Sequence, residues 1–253
     1  MTEILRAEAL SVRYGGVQAL CDVDLAVGAG QLIGLIGPNG AGKTTFIDAV
    51  SGFAPAHGRV SLGGEDISSL TPHQRARRGL ARTWQAAELF DDLSVRENLR
   101  VACSRTSLWR AAGEVFTARE RELDSVERAL ALVGLDELAD RGADELAQGQ
   151  RKLVDVARAL AAEPAVLFLD EPAAGLDSVE SQAFGRHLRA VVDGGTAVVL
   201  IDHDMGLVLS VCDHVVVPDF GKVIARGRPD EVRSDSKVVE AYLGRSAIAA
   251  EAT

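Results

Sequence analysis

The chain has 253 residues, of which 47% are hydrophobic and 25% charged, and its formal net charge at pH 7 is −10. These values predict a globular protein with an ample core, and we expect neither a signal peptide nor a membrane span of about 18 apolar residues. The acidity argues against nucleic acid, because binding to nucleic acid needs a clustered basic surface. The three cysteines lack metal or redox spacing, which fits reduced thiols in the cytosol.

The first part of the chain alternates apolar and polar residues. Residues 4–31 do so in short runs separated by glycines, which predicts antiparallel strands. Tyr14 stands at the end of one run, directly before two glycines. Two interpretations of Tyr14 stay open: it is a partly buried residue at a strand end, or its ring stacks on the adenine of a nucleotide.

A glycine-rich stretch follows the apolar run 32–36 and precedes a predicted helix, 44–52. It matches the Gly-x4-Gly-Lys-Thr pattern of a phosphate-binding loop, for which an ordinary strand-to-helix turn is the alternative. In such a loop, backbone N–H groups and the helix N-terminus bind phosphate oxygens. We expect Lys43 to face solvent in the empty loop and to reach the β- and γ-phosphates, and the Thr44 hydroxyl to bind Mg2+. The predicted loop comprises Gly37, Pro38, Asn39, Gly40, Ala41, Gly42, Lys43, Thr44 and Thr45.

The middle of the chain is predicted to be largely helical. A strand near 59–62 and a polar helix near 72–79 come first, and residues 94–142 then contain no strand-like run. Gly134 lies where a helix C-terminal cap belongs, after a series of apolar residues at helical spacing. These residues are Leu123, Val126, Leu130 and Val133. We therefore expect a helical lobe inserted into an α/β core.

Two later apolar runs, 165–169 and 196–201, both end in polar residues. The first is followed by Asp170 and Glu171, and the second by an Asp-His-Asp sequence that contains His203. Continuous apolar runs are typical of parallel strands buried on both faces, and such sheets bind ligands at the carboxyl ends of their strands. The phosphate-binding loop, the acidic pair and the histidine are therefore predicted to meet at one edge of a sheet.

Four polar side chains are candidates for metal binding and hydrolysis. Asp170 fits the carboxylate on the Mg2+ side of a phosphate-loop ATPase, and Glu171 is then free to orient and polarise the attacking water. We expect His203 to contact the γ-phosphate and Gln85 to bring an amide oxygen to the metal. Glu171, His203 and Gln85 are thus the predicted catalytic residues, with Thr44, Gln85 and Asp170 at the metal. A solvated acidic pair and a structural histidine are the simpler alternatives.

The order of these motifs resembles that of the ATP-binding cassette (ABC) ATPases. The matching segments are the phosphate-binding loop, Gln85, residues 146–150, residues 167–172, residues 174–177 and His203. The resemblance implies that residues 146–150 form the signature motif, which begins a helix and binds the γ-phosphate of a nucleotide held by the opposite subunit. Ala147, Gly149 and Gln150 would make that contact, and Asp177 would lie in the loop that links the two sites.

The resemblance also implies a division of the chain into lobes within one ABC ATPase domain, 1–245. An α/β core with a phosphate-loop ATPase fold would carry an antiparallel β lobe, an inserted helical lobe, a C-terminal helix and a disordered tail. These parts would be the core at 32–55, 71–93 and 163–233, the β lobe at 1–31 and 56–70, the helical lobe at 94–162, the helix at 234–245 and the tail at 246–253.

Several strings are most similar to the ATPase subunits of branched-chain amino-acid importers, namely residues 82–85 with 88–90, 95–99, 170–175 and 238–244. Lipopolysaccharide-export and urea-import ATPases are near relatives and stay open as alternatives. The resemblance implies ATP and Mg2+ as cofactors, a second and non-identical ATPase subunit, permease subunits in the membrane and, indirectly, a solute-binding protein. It places the chain peripherally at the cytoplasmic face of the plasma membrane, with membrane contact only through the permease and no nucleic-acid partner.

The chain departs from the family pattern at two places. Ala147 replaces the usual serine of the signature, and Gln148 replaces the first of its two glycines. A lost hydrogen bond to a charged phosphate is worth roughly 1.5–3 kcal/mol, so we expect a weakened half-site rather than a dead one. Pro218 is predicted to lie in a turn between two late strands.

Two other classes of protein are alternatives to a transporter ATPase. A soluble ABC protein that acts on DNA or ribosomes would carry a long coiled-coil insertion or two cassettes in one chain, and this sequence has neither. A phosphate-loop kinase would need an acceptor site and gives no reason for the helix start at residues 146–150.

Overall fold

Two β-sheets pack against opposite faces of one buried helix, α1 (Lys43–Ser51), in the computed structural model, which describes residues 2–83, 89–103 and 114–242. The strands are β1 (Glu3–Tyr14), β2 (Val17–Gly28), β3 (Leu32–Leu35), β4 (His57–Leu62), β5 (Glu65–Asp66), β6 (Leu80–Arg82), β7 (Val166–Asp170), β8 (Ala197–Ile201), β9 (His214–Asp219) and β10 (Lys222–Gly227). The other helices are α2 (Pro72–Arg77), α3 (Val95–Cys103), α4 (Glu114–Val133), α5 (Gln148–Leu160), α6 (Ser178–Asp193), α7 (Met205–Val211) and α8 (Pro229–Ser234), followed by a helical stretch at 236–242. Among the described residues, no helix is both long enough and apolar enough to cross a bilayer.

The smaller sheet is antiparallel and has the strand order β2-β1-β4-β5. Strands β1 and β2 form a long hairpin whose register runs from Glu3 opposite Gly28 to Tyr14 opposite Val17, with bulges between. Its inward-facing side chains, among them Leu5 and Leu10, are fully buried against α1. The antiparallel strands predicted for residues 4–31 therefore form one hairpin.

The larger sheet has the order β10-β9-β3-β8-β7-β6 and is parallel except for β10. Its central strands are buried on both faces, as their continuous apolar sequences indicate. In β7, Val166 and Phe168 face α1 and the antiparallel sheet, whereas Leu167 and Leu169 face the helices of the other side. This alternation is the two-residue period of a strand, and the predicted α/β fold is confirmed.

A group of helices, α3 to α5, packs on the second face of the larger sheet. In α4, Val126, Leu130 and Val133 are fully buried, and Gly134 ends the helix with φ +68°, in the left-handed region that favours glycine. Leu123, about one turn before Val126, is exposed. The division of the chain into lobes at the boundaries given above stays a prediction, and the predicted tail lies outside the described residues.

The prediction that Pro218 lies in a turn is wrong. Pro218 belongs to β9 and pairs with Val223 of β10, and the turn is formed by Phe220 and Gly221, both of which have positive φ. A proline interrupts the hydrogen bonding of a strand because it has no N–H. Pairing of β9 with β3 ends at Val216, whose oxygen accepts from the Ile36 N–H. Pro218 therefore lies beside the glycine-rich loop, where β3 needs no N–H donor from it.

Candidate functional site

Three adjacent strands, β3, β8 and β7, end side by side at one edge of the larger sheet. In the parallel register Leu35 of β3 lies opposite Ile201 of β8, and Ile201 lies opposite Asp170 of β7. The segments after these strands are the glycine-rich loop, the sequence that contains His203 and the acidic pair. The middle position of β8 places His203 between the other two.

The glycine-rich loop closes tightly on its neighbours. Gly42 caps the N-terminus of α1 with φ +103°, and a Cβ at this position would lie 2.8 Å from Leu20 Cδ2 of β2. A Cβ on Gly37 would lie 2.5 Å from the carbonyl oxygen of Pro218. Side chains are therefore excluded at both glycines of the motif, so only the backbone occupies these two positions before α1.

Lys43 lies inside the loop. Its side chain is only 8% exposed, and its Nζ donates to the carbonyl oxygens of Gly37 at 2.6 Å and Pro38 at 3.1 Å. The expectation that Lys43 faces solvent is wrong, because the loop curls its own carbonyl oxygens around the ammonium group. Thr44, in the first turn of α1, is exposed.

The remaining predicted loop residues form the turn between β3 and α1. The Ala41 N–H donates to the Pro38 oxygen at 3.1 Å, and the Ala41 oxygen accepts from the Gly221 N–H at 3.0 Å. Asn39 and Gly40 are exposed at the tip, whereas Thr45 is partly buried. The hairpin turn after β9 thus supports the loop from the side.

Asp170 is buried at the end of β7 and is held from β6. One carboxylate oxygen, Oδ2, accepts from Arg82 Nη2 at 3.3 Å, and the Asp170 N–H donates to Thr83 Oγ1 at 3.4 Å. The other oxygen, Oδ1, is buried and has no hydrogen-bond partner. Burial raises the pKa of Asp170, and the Arg82 guanidinium partly offsets this rise.

The residues at this edge fit a magnesium ion. A buried carboxylate oxygen without a partner costs free energy, and a hard cation or its water shell would satisfy Asp170 Oδ1. Mg2+ in nucleotide sites needs only one or two protein ligands, so Asp170 and the exposed Thr44 hydroxyl suffice as donors. In the part of the chain that the structure describes, no cluster of three or more His, Cys, Asp and Glu offers an all-protein metal site. A metal held by these two donors would complete its coordination with water or a phosphate ligand.

Glu171 and His203 approach each other at the mouth of the site. His203 Nδ1 lies 3.9 Å from Glu171 Oε2, and the two side chains are 66% and 30% exposed, respectively. Glu171 has φ +49°, and its N–H donates to the Ile201 oxygen at 2.7 Å. Positive φ is uncommon for a residue with a side chain and often marks a functional position. A water molecule placed beside the pair could contact both groups.

Asp202 fixes the two segments that carry these groups. It is 1% exposed, and its Oδ2 accepts from the Ala173 N–H at 3.3 Å while its Oδ1 accepts from the Asp204 N–H at 3.0 Å. Burial raises the pKa of Asp202, and these backbone hydrogen bonds act in the opposite direction. Because one carboxylate binds the backbone on both sides of the cleft, Asp202 sets the spacing of Glu171 and His203.

The predicted signature motif lies at the N-terminus of α5. The helix begins at Gln148, one residue earlier than predicted, with Ala147 as its N-cap. The Ala147 N–H donates to Gln150 Oε1 at 3.0 Å, which is one half of a capping box. The other half is missing, because a methyl group cannot accept the bond that a serine hydroxyl would accept from the Gln150 N–H.

Asp177 caps the neighbouring helix, α6. Its Oδ1 accepts from the N–H groups of Val179 and Glu180, both at 2.8 Å, and the residue is exposed. A Cβ on Gly149 would lie 3.9 Å from Leu176 Cδ2, so the start of α5 packs beside the turn that leads to Asp177. Asp177, Ala147, Gly149 and Gln150 therefore form a second group of predicted residues around two helix N-termini.

Tyr14 and Gln85 are the two remaining residues of the predicted site. Tyr14 ends β1 and is 49% exposed, which is compatible with both interpretations, so stacking on a base stays a prediction. Gln85 lies outside the described residues.

Two residues of the site, Arg82 and Asp202, have no role in the sequence-based interpretation. Asp202 could have been predicted from the sequence, because it is the first polar residue after an apolar run, as Asp170 is. Arg82 gave no signal by pattern alone, since its two carboxylate partners are 34 and 88 positions away in the sequence.

Family models match two parts of the chain. A model described as "ABC transporter" matches residues 20–174, and one described as "Branched-chain amino acid ATP-binding cassette transporter" matches residues 222–248. The high-affinity branched-chain amino acid transport ATP-binding protein BraF of Pseudomonas aeruginosa is 40% identical over 253 residues, covering 96% of this chain and 98% of that protein. LivG of Escherichia coli, with the same description, is 35% identical over 251 residues at the same coverages.

Other relatives extend the comparison. The lipopolysaccharide export system ATP-binding protein LptB of Escherichia coli is 36% identical over 241 residues, covering 95% of this chain and 97% of that protein. Among solved structures, an ATP-binding cassette of an ABC transporter in its ADP conformation has a TM-score of 0.83 at 31% identity and covers 96% of this chain and 100% of that one. A nucleotide-free cassette has a TM-score of 0.81 at 32% identity, with coverages of 95% and 99%.

The incomplete capping box gives a testable prediction. Ala147→Ser supplies a hydroxyl that can accept from the Gln150 N–H, and we expect the free energy of unfolding to rise by about 0.5–2 kcal/mol. Urea denaturation of the purified chain measures the change. The control is Ala131→Ser, at an exposed position inside α4 where no N–H is free, which should give no gain. An equal effect of the two variants would show that Ala147 is not the limiting cap.

Proposed function

The chain belongs to the ABC transporter family as one of its ATP-hydrolysing subunits, and on that basis we propose that it drives the uptake of branched-chain amino acids. The observation that carries this proposal is the match of residues 222–248 to a branched-chain amino acid cassette model, since that segment lies outside the match to the general family model. Relatives so described match nearly the whole chain. The chain would act at the cytoplasmic face of the plasma membrane, where the permease would hold it.

ATP would bind with its phosphates on the loop Gly37–Thr45 and its adenine on Tyr14. Lys43 is already directed into the loop, and it would exchange the carbonyl oxygens of Gly37 and Pro38 for phosphate oxygens. Asp170, Thr44 and Gln85 would hold Mg2+. When bound, the ion neutralises charge on the phosphates.

Glu171 would orient the attacking water and accept its proton. The separation of 3.9 Å between Glu171 Oε2 and His203 Nδ1 allows a water beside them to contact both atoms. His203 would hold that water against the γ-phosphate, and Asp202 would keep the two side chains in place through its bonds to the Ala173 and Asp204 N–H groups. General-base assistance of this kind contributes about 10²–10⁴-fold to a rate.

A second cassette would complete the nucleotide site. The N-terminus of α5, with Ala147, Gly149 and Gln150, would bind the γ-phosphate held by the opposite subunit, and Asp177 would lie at the junction. Ala147 lacks the serine hydroxyl, so we propose that the partner is non-identical and brings a complete signature. Its serine would serve the phosphate-binding loop of this chain.

A groove beside the larger sheet would receive the permease. It has a volume of about 560 Å³ and lies between α2, the end of α3, α5 and the open edge of β6. Its walls are largely apolar and include the exposed ring of Phe53, while Asp155 and Arg158 form an ion pair on the side of α5. An amphipathic helix of the permease would fit this groove, with its apolar face on the apolar walls and its polar side chains next to Asp155 and Arg158. A solute-binding protein would act through the permease.

Lipopolysaccharide transport is the second candidate, on the strength of the similarity to LptB over 95% of the chain. Co-purification from solubilised membranes separates the two. Recovery of a permease and a binding protein that bind leucine, isoleucine or valine would support the first function. Recovery of lipopolysaccharide-export subunits would support the second and end the first.

Glu171→Gln tests the assignment of the base. The amide keeps the shape of the side chain but cannot accept the proton, so we expect ATP binding to persist, hydrolysis to fall by roughly 10²-fold or more, and a closed dimer to accumulate. Steady-state ATPase assays and size-exclusion chromatography with ATP measure these effects. Glu163→Gln, which changes an exposed glutamate paired with Arg128, is the control. Turnover equal to that of the parent chain would remove Glu171 from the chemistry.

Ala147→Ser tests the proposal that the two ATPase subunits are an unequal pair, in which only the partner has a complete signature. We expect weak ATPase activity from the purified parent chain, which rises when the partner and permease are added. In the homodimer the variant should raise activity by about tenfold, the equivalent of one hydrogen bond to a charged group, and in the full complex by less. Ala131→Ser should change neither rate. Strong activity of the isolated parent chain, unaffected by Ala147→Ser, would contradict the unequal pair.

Ala159→Arg tests the permease groove. A long charged side chain on the groove wall of α5 should block the seated helix, and we expect at least a tenfold loss of permease recovery in a pull-down with nucleotide affinity unchanged. Ala131→Arg, on the exposed side of α4, is the matched control. Undiminished recovery with Ala159→Arg would place the permease elsewhere on the chain.

A further inference from the structure

Arg82 joins two acidic residues from different parts of the site. Its side chain is 8% exposed, and its two terminal nitrogens donate to different carboxylates: Nη1 to Asp48 Oδ1 on α1, and Nη2 to Asp170 Oδ2 at the end of β7, at 3.3 Å. The guanidinium therefore spans the gap between the helix that follows the phosphate-binding loop and the strand that ends in Asp170. A planar fork with several donors is suited to such a bridge, and a point charge is not.

The contact on α1 lies on a particular face of that helix. Asp48 follows Thr44 by four residues, so the two side chains lie one above the other on the same face. Thr44 and Asp170 are the two described residues that would hold Mg2+. Arg82 is thus bonded directly to one of them and, through Asp48, to the helix face that carries the other.

The bond to Asp170 determines which of its oxygens is available. Oδ2 is engaged by Arg82, the Asp170 N–H is engaged by Thr83 Oγ1, and Oδ1 is buried without a partner. With Oδ2 engaged, Oδ1 is the carboxylate oxygen left over for a cation. If the bond to Arg82 were absent, the side chain could rotate and Oδ1 would lose its fixed direction.

We propose that Arg82 is a positioning residue for the metal: it holds Asp170 Oδ1 toward the magnesium ion and fixes the distance between Asp170 and the Thr44 face of α1. This inference rests on the magnesium role of Asp170 and Thr44 proposed above. Arg82 itself touches neither nucleotide nor metal. Because it also lines the groove proposed for the permease, a partner seated there lies one side chain away from the metal site.

Electrostatics alone predicts the opposite effect of removing Arg82. Loss of a positive charge near a divalent cation would strengthen the binding of that cation, since like charges repel. Positioning predicts weaker binding, because the liganding oxygen is no longer aimed. The sign of the change in Mg2+-dependent affinity therefore discriminates between the two roles, and a simple folding defect would alter affinity with and without metal alike.

The test is the affinity of Arg82→Gln for a non-hydrolysable ATP analogue, titrated once in excess Mg2+ and once in a metal chelator. We expect the Kd with Mg2+ to weaken roughly tenfold, the equivalent of one charge-assisted hydrogen bond, and the Kd in chelator to stay the same. Arg78→Gln, which removes an exposed arginine paired with Glu65, is the control and should change neither value. Arg82→Lys should follow Arg82→Gln, because an ammonium cannot bridge both carboxylates. Thermal unfolding verifies that each variant is folded.

If the Arg82 variants fail to fold, Asp48→Asn carries the test. It weakens the anchor on α1 and should shift the Kd with Mg2+ in the same direction by a smaller factor. Four results would each overturn the positioning role of Arg82. They are an unchanged Kd, a tighter Kd with Mg2+, an equal weakening of the Kd with and without Mg2+, and a Kd of Arg82→Lys equal to that of the parent chain. A parent chain whose affinity does not depend on Mg2+ would instead overturn the proposed metal function, which distinguishes the two failures.

Discussion

The parallel pairing of β3, β8 and β7 is the constraint on which the rest of the structure depends. A one-residue change in that register would move every apolar side chain of the strand to the other face, so burial on both faces leaves little freedom. With the register fixed, the three strands end together, and the polar residues that follow them meet at one edge. The position of the site therefore follows from how the strands pack in the core, and the segments after the strands supply its polar groups.

The same strand register places two carboxyl groups in buried positions, where the charged form is disfavoured. Asp170 ends the buried strand β7 and Asp202 directly follows the buried strand β8, and burial raises the pKa of both carboxyl groups. Their partners differ in kind. Asp202 accepts two backbone N–H groups, which suits a fixed structural role, whereas Asp170 has one charged partner and one free oxygen. A cation would satisfy the unpartnered oxygen of Asp170, and this is the physical support for the proposal that Asp170 binds the metal.

The sequence predicted the elements whose signal is local. The alternation within β7, the helical stripe that ends at Gly134 and the glycine motif before α1 all depend on residues within a few positions of one another. Pro218 was misplaced because proline signals a turn locally, whereas its tolerance in β9 depends on where the neighbouring strand β3 stops. The direction of Lys43 and the bridge made by Arg82 depend on backbone curvature and on partners distant in the sequence, and no local pattern records them.

The two helix N-termini of the site differ in a way that bears on how the cassette is used. The N-terminus of α1 is preceded by Gly37 and Gly42, where no side chain fits, and Lys43 points into the loop. The N-terminus of α5 has only half of its capping box, because Ala147 cannot accept the Gln150 N–H. In the proposed function, the first of these N-termini would serve this chain's own nucleotide and the second, which lacks one capping bond, would serve the nucleotide of the partner. In a dimer of two identical chains, both nucleotide sites would face a signature that lacks the serine. A partner with a complete signature would supply the serine to one site, the site formed by the phosphate-binding loop of this chain.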